Sequence, residues 1–97
     1  MLFAIICTDK PDHGHIRAGT RPDHLAYLAD LGERVRMAGP FTDETGDKMT
    51  GSLIVLEADT ANEAREIAAL DPYARAGLFE TVDIRPWNWV ITDGKPR

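Results

Sequence analysis

Residues 2–8 are apolar at odd and even positions alike until Thr8, the pattern of a strand covered on both faces. It predicts a central strand. Residues 9–15 bring Asp9, Pro11, Asp12 and Gly14 together and read as a loop. From about residue 16 to residue 35 the period turns helical. Arg17, Arg21, His24, Leu28, Leu31 and Val35 follow at steps of four, three, four, three and four, which places them on one stripe. Gly19 and Pro22 weaken the first turns. Thr20 as a cap, with Pro22 inside the next turn, predicts that the well-formed helix begins near Arg21.

A short apolar stretch, 35–38, predicts a strand entered directly from this helix and closed at Gly39-Pro40; residues 41–48 follow as a polar loop. Residues 51–58 are again apolar on both faces in their middle, a second buried strand. Thr60 and Glu63 have capping-box spacing. Ala61, Ala64, Ile67 and Ala68 make a small-residue stripe on a short, closely packed helix that Asp71-Pro72 ends. Residues 78–83 alternate and continue through Ile84 toward Trp87 and Trp89, a last strand, leaving 92–97 as a loose tail. The order βαββαβ predicts an α+β, ferredoxin-like sandwich, a four-stranded antiparallel sheet with two helices on one face. Strands apolar on both faces under helices on one face leave the other face to cover. A homodimer formed through the sheet is therefore expected.

With 97 residues, 43% hydrophobic and 28% charged, the chain holds one domain, residues 1–97. Eleven Lys+Arg against 16 Asp+Glu give a net charge of -5, which repels phosphate backbones and anionic lipid. Nucleic acid and membrane are not expected partners. The longest apolar run, residues 2–7, is far short of the ~20 residues that span a bilayer, and it lacks the basic leader of a signal peptide. One cysteine, Cys7, in an apolar run fits a reducing compartment. A cytoplasmic protein is the expectation.

The helical stripe turns polar at its N-terminal end. Arg17, Arg21 and His24 there suit a small organic acid and a proton transfer, since guanidinium pairs with carboxylate and imidazole titrates near neutrality. The plainer reading is a salt-bridged helix end. Gly39-Pro40 and Gly51-Ser52 could line a pocket, with Ser52 supplying a hydroxyl, although Gly39-Pro40 also serves as a turn. Tyr73 could wall that pocket or belong to the core. Asp71 stops a helix through its own side chain in the plainer account. Asp9, Asp12, His13 and His15 could ligate a divalent ion, but one polar loop rarely supplies a whole set; no metal and no cofactor are expected. Trp87 and Trp89 read as packing at the sheet edge or a dimer seam, and Asp43, Glu44 and Asp47 as a solvated loop.

The chain resembles the YciI-like (YCII-related) family through Arg17-x-x-x-Arg21-x-x-His24-Leu25, Ala38-Gly39-Pro40, Gly51-Ser52, Glu63-Ala64, Asp71-Pro72-Tyr73, Ala76-Gly77-Leu78 and Arg85-Pro86-Trp87, spanning nearly its whole length. The resemblance implies a ferredoxin-like fold, dimers related to the dimeric α/β barrels, and an active-site His-Asp pair. Residue by residue, that pair is His24 and Asp71. Asp9, just past the first strand, is a second candidate partner for the imidazole. The similarity suggests cofactor-free isomerisation or elimination, including loss of halide, on a small polar or anionic cyclic compound. Arg17, Arg21, Gly39, Pro40, Ser52 and Tyr73 would hold it. A non-catalytic module that binds a small molecule or assembles with a partner is the alternative.

Overall fold

The computed structural model describes residues 1–97. The chain forms β1 (Leu2–Asp9), α1 (Gly14–Leu31), a 3-10 turn (Gly32–Arg34), β2 (Val35–Thr42), β3 (Met49–Glu57), α2 (Ala61–Ala69), α3 (Pro72–Arg75), β4 (Phe79–Trp87), β5 (Ile91–Thr92) and β6 (Lys95–Pro96). The main sheet has the order β2-β3-β1-β4 with every pair antiparallel, and the helices pack on one face. This is the ferredoxin-like α+β fold.

Period-2 alternation sorts the side chains of β1. Phe3, Ile5 and Cys7 face the helices and are buried, and across the β1–β3 pair they meet Leu56, Ile54 and Ser52. Ala64 of α2 completes this core, with Leu28, Leu31 and Ile67 against it. Each of the largest fully buried side chains, Phe3, Leu56 and Leu78 among them, contributes roughly 1.5–3 kcal/mol. Thr60 caps α2 by accepting from the Glu63 N–H at 3.1 Å, as the capping-box spacing predicts. The alanines of α2 let it approach β1 and β4 closely.

Four expectations need correction. The long helix starts at Gly14, not near Arg21, and runs through Pro22 without a break. Pro22 removes one helical hydrogen bond, and the anchoring of Arg17 before it and His24 after it offsets that loss. Gly32, at φ 59, ends the helix at Leu31, so Val35 opens β2 instead of closing the helical stripe. Gly39 and Pro40 lie inside β2 and do not form a turn. Pro40 is tolerated there because β2 is an edge strand. The chain end, expected to be loose, folds into the β5–β6 ribbon, where the Trp89 indole donates to the Ile91 carbonyl at 2.7 Å and Arg97 lies over the Trp89 ring.

On the opposite face of the sheet, Leu2, Ala4 and Ile6 of β1 stand beside Leu53 and Val55 of β3 by register. Met37, Phe41 and Trp87 extend this surface and are exposed. No helix is long and apolar enough to cross a membrane.

A Cβ built on Gly51 would lie 2.2 Å from the Cys7 carbonyl oxygen, backbone that the β1–β3 ladder holds in place. Gly51→Ala should therefore cost about 2–3 kcal/mol, read from the urea midpoint. Burial, and then the Asp71 charge, push the Cys7 thiol up to about 12. A folded value above the unfolded one stabilises the fold below the ordinary thiol range, and that contribution is lost as pH rises toward 12. Cys7→Ala should flatten the alkaline limb of stability against pH, and the native thiol should resist a disulfide reagent at neutral pH.

Candidate active site

Alternation carries the helix-facing side of β1 past Cys7 to Asp9, and that of β3 to Ser52, at the same end of the sheet. A register shift between Thr8 and Asp9 loosens the β1–β4 ladder there. Above that end lies the first half of α1. Arg17 reaches down and meets Asp9 with two parallel hydrogen bonds, Nε to Oδ2 at 2.7 Å and Nη2 to Oδ1 at 2.8 Å. Its Nη2 also donates to Ser52 Oγ at 2.9 Å. The two side chains of this ion pair are only 9% and 8% exposed. Burial works against the guanidinium charge, but the Asp9 bonds outweigh it, so Arg17 titrates above its ordinary value.

Two turns further along α1, His24 Nδ1 lies 2.8 Å from Asp71 Oδ1. The same carboxylate oxygen accepts the Tyr73 backbone N–H at 2.9 Å and so caps α3. Helix stop and histidine partner are thus one atom, and the two readings of Asp71 coexist. Since an ionised carboxylate only accepts, the neutral imidazole carries its proton on Nδ1 and presents a lone pair at Nε2. Nε2 has no protein partner and is not shut off from solvent. Tyr73 stacks on the His24 ring with centroids 4.0 Å apart, and the Arg17 guanidinium carbon sits 4.6 Å from the centre of the Tyr73 ring. Burial raises the Tyr73 hydroxyl against the pull of Arg17, keeping the phenol protonated.

These groups open on a cavity of about 630 Å³ between α1 and the β2–β3 edge. Ala38, Gly39 and Pro40 are small, and they leave this space under the helix. Leu25, Leu28 and Ile54 make its apolar wall, while Arg21 and Lys48, neither in an ion pair, stand at its margin. The loop before β3 is held by Asp43, which accepts from the Thr45 hydroxyl at 2.8 Å and from the Asp47 and Lys48 N–H groups. Those bonds, the Thr45 hydroxyl foremost, keep the Asp43 carboxyl below its usual range.

Every residue singled out from the sequence for this site lines the cavity or touches a residue that does, and Asp9, Arg17, His24 and Asp71 sort into two hydrogen-bonded pairs on either side of Tyr73's contacts. Asp9 belongs to Arg17 and not to His24. Arg17 is buried and already paired, whereas Arg21 is exposed. Asp12, His13 and His15 do not converge with Asp9, and His13 Nδ1 bonds the Pro11 carbonyl at 2.7 Å. The rim formed by Asp47, Lys48 and Met49 was not legible, because nothing local to that polar loop says which way it folds.

The family model for the YCII-related domain matches residues 1–88. Protein YciI of Escherichia coli (strain CFT073) is 35% identical over 94% of this chain and 100% of its own length. The uncharacterised protein YjpA of Bacillus subtilis is 40% identical, covering 90% of this chain and 92% of that one. Among solved structures, 5-chloro-2-hydroxyhydroquinone dehydrochlorinase (TftG) from Burkholderia phenoliruptrix, in complex with 2,5-dihydroxybenzoquinone, superposes with a TM-score of 0.83 at 33% identity, over 91% of this chain and 94% of that one.

The two carboxylates should separate in a urea titration. Asp9→Ala strands a buried guanidinium and is expected to cost about 3–5 kcal/mol. Asp71→Ala removes a cap and an imidazole partner, about 2–3 kcal/mol, and Asp71→Asn, which can still cap α3, should recover roughly half of that loss.

Proposed function

This chain belongs to the YCII-related family, and on that premise we propose that it is a small enzyme using His24–Asp71 acid–base chemistry, of the isomerase or lyase (dehydrohalogenase) type. Its substrate is a small polar or anionic cyclic compound. The observation that carries the reading is His24 held through Nδ1 by Asp71 at 2.8 Å, with Nε2 free beside an apolar cavity. The likeness to a dehydrochlorinase seen with a dihydroxybenzoquinone supports the substrate class.

With the ring in its keto form, His24 Nε2 takes a proton from the saturated carbon beside a carbonyl and next to the halide-bearing saturated carbon, and the Asp71 carboxylate stabilises the imidazolium that results. In an elimination the C–H electron pair becomes a ring double bond as halide leaves with its own bonding pair. In an isomerisation the imidazolium returns the proton to a different carbon. The imidazole is itself the proton carrier, so neither course calls for a cofactor. Arg21 and Lys48 attract a substrate anion to the mouth, and the wall of Leu25, Leu28 and Ile54 packs its ring.

The open sheet face, with Met37, Phe41 and Trp87 exposed, suits a homodimer. Placement in the cytoplasm fits a single free cysteine buried in the core. The same exposed face favours the second reading, a non-catalytic assembly module.

Chloride release from 5-chloro-2-hydroxyhydroquinone tests the enzyme reading. His24→Gln should lower turnover at least ~100-fold with an unchanged circular dichroism spectrum; equal turnover, or none in the wild type across a panel of halogenated hydroquinones, favours the assembly module. Light scattering should give twice 10.7 kDa, and a monomer at micromolar concentration would count against the dimer.

A further inference from the structure

Proton abstraction beside a carbonyl drives negative charge onto the carbonyl oxygen, so a base alone is half of a site. Resting on the acid–base reading above, we infer that Arg17 and Ser52 form an oxyanion-stabilising pair that receives the enolate or phenolate oxygen of the reacting ring.

The hydrogen-bond inventory of Arg17 is the starting point. Nε and Nη2 are spent on Asp9 and Ser52, while Nη1 meets no acceptor at full hydrogen-bond geometry, although the Tyr73 hydroxyl lies close enough to draw on the guanidinium. Although the side chain is 9% exposed, Nη1 is not sealed from solvent, and Arg17 lines the cavity. Ser52 Oγ accepts from Arg17, so its own proton is left without a protein acceptor. Ser52 is 3% exposed and also lines the cavity. Two buried side chains thus offer unspent N–H and O–H donors to one space.

Both are held in place before any ligand arrives. Asp9 grips the guanidinium with both oxygens, fixing its plane. Tyr73 then sets the distance to the base, with His24 stacked on its ring and the Arg17 guanidinium over it. Arg17, Ser52 and His24 all line the one cavity, and the inferred pose has a ring there present a carbon to His24 Nε2 and an oxygen to the donors. The Asp9–Arg17 pair is therefore catalytic equipment on the Arg17 side and positioning on the Asp9 side. Arg21, exposed and at the margin, is left to steer anions inward.

The test uses 4-nitrophenol, whose phenolate absorbs in the visible, and 2,5-dihydroxybenzoquinone as probes. Dissociation constants for the neutral and ionised forms of each are measured at pH values on either side of the probe's own pKa. Wild-type protein should prefer the ionised form, and Ser52→Ala should lose roughly tenfold of that preference. Because Arg17→Ala alone would strand Asp9, the Asp9→Asn/Arg17→Gln double variant is the second probe and should lose at least as much. His24→Gln should retain the preference while losing turnover, so a failed general base and a failed oxyanion pair give different patterns. Preference unchanged in Ser52→Ala and in the double variant, or abolished by Arg21→Gln instead, overturns the inference. Binding of neither form of either probe overturns it together with the substrate class.

Discussion

Asp71 Oδ1 accepts two hydrogen bonds, from the Tyr73 N–H and from His24 Nδ1, and the geometry around the cavity hangs on that atom. The first bond starts α3 and fixes where the Tyr73 ring points. The second holds the imidazole in one tautomer and lays it on that ring. Without the carboxylate, α3 loses its cap and His24 loses its orientation together, because the two partners share one acceptor. A helix stop has thereby become part of a site.

The second buried pair, Asp9–Arg17, follows a similar logic at greater energetic risk. A charge taken out of water is costly unless matched, and here the match is bidentate, with a third bond to Ser52. The two pairs meet through Tyr73, whose ring contacts both the His24 imidazole and the Arg17 guanidinium. Cys7 lies among these groups but stays out of the chemistry, since burial and neighbouring carboxylate charge hold its thiol protonated.

The departures from the sequence reading share a cause. Pro22 and Gly19 argue locally for a helix break, and Gly39-Pro40 argues locally for a turn. Both arguments are sound for an isolated peptide. Long-range anchors decide otherwise: Arg17 and His24 hold α1 across Pro22, and pairing with β3 keeps β2 extended through Pro40, whose missing donor is harmless at the sheet edge. The chain end has no signal in the sequence, because a two-residue ribbon pinned by Trp89 and Arg97 carries no period.

Strand and helix periods, the capping box at Thr60 and the ends of the central strands are properties of neighbouring residues, and the sequence alone determined them. The ferredoxin-like order of elements follows, since β1 and β3 are too apolar for any edge. The polar end of the helical stripe also marked Arg17, Arg21 and His24 as a group. Which carboxylate Arg17 takes and which His24 takes was settled only in three dimensions. Asp9 and Asp71 are 62 residues apart in the chain, and chain spacing carries no information about where a loop after one strand and a cap after a distant helix come to rest. Side-chain reach from a packed helix decides it, giving Asp9 to Arg17 and Asp71 to His24.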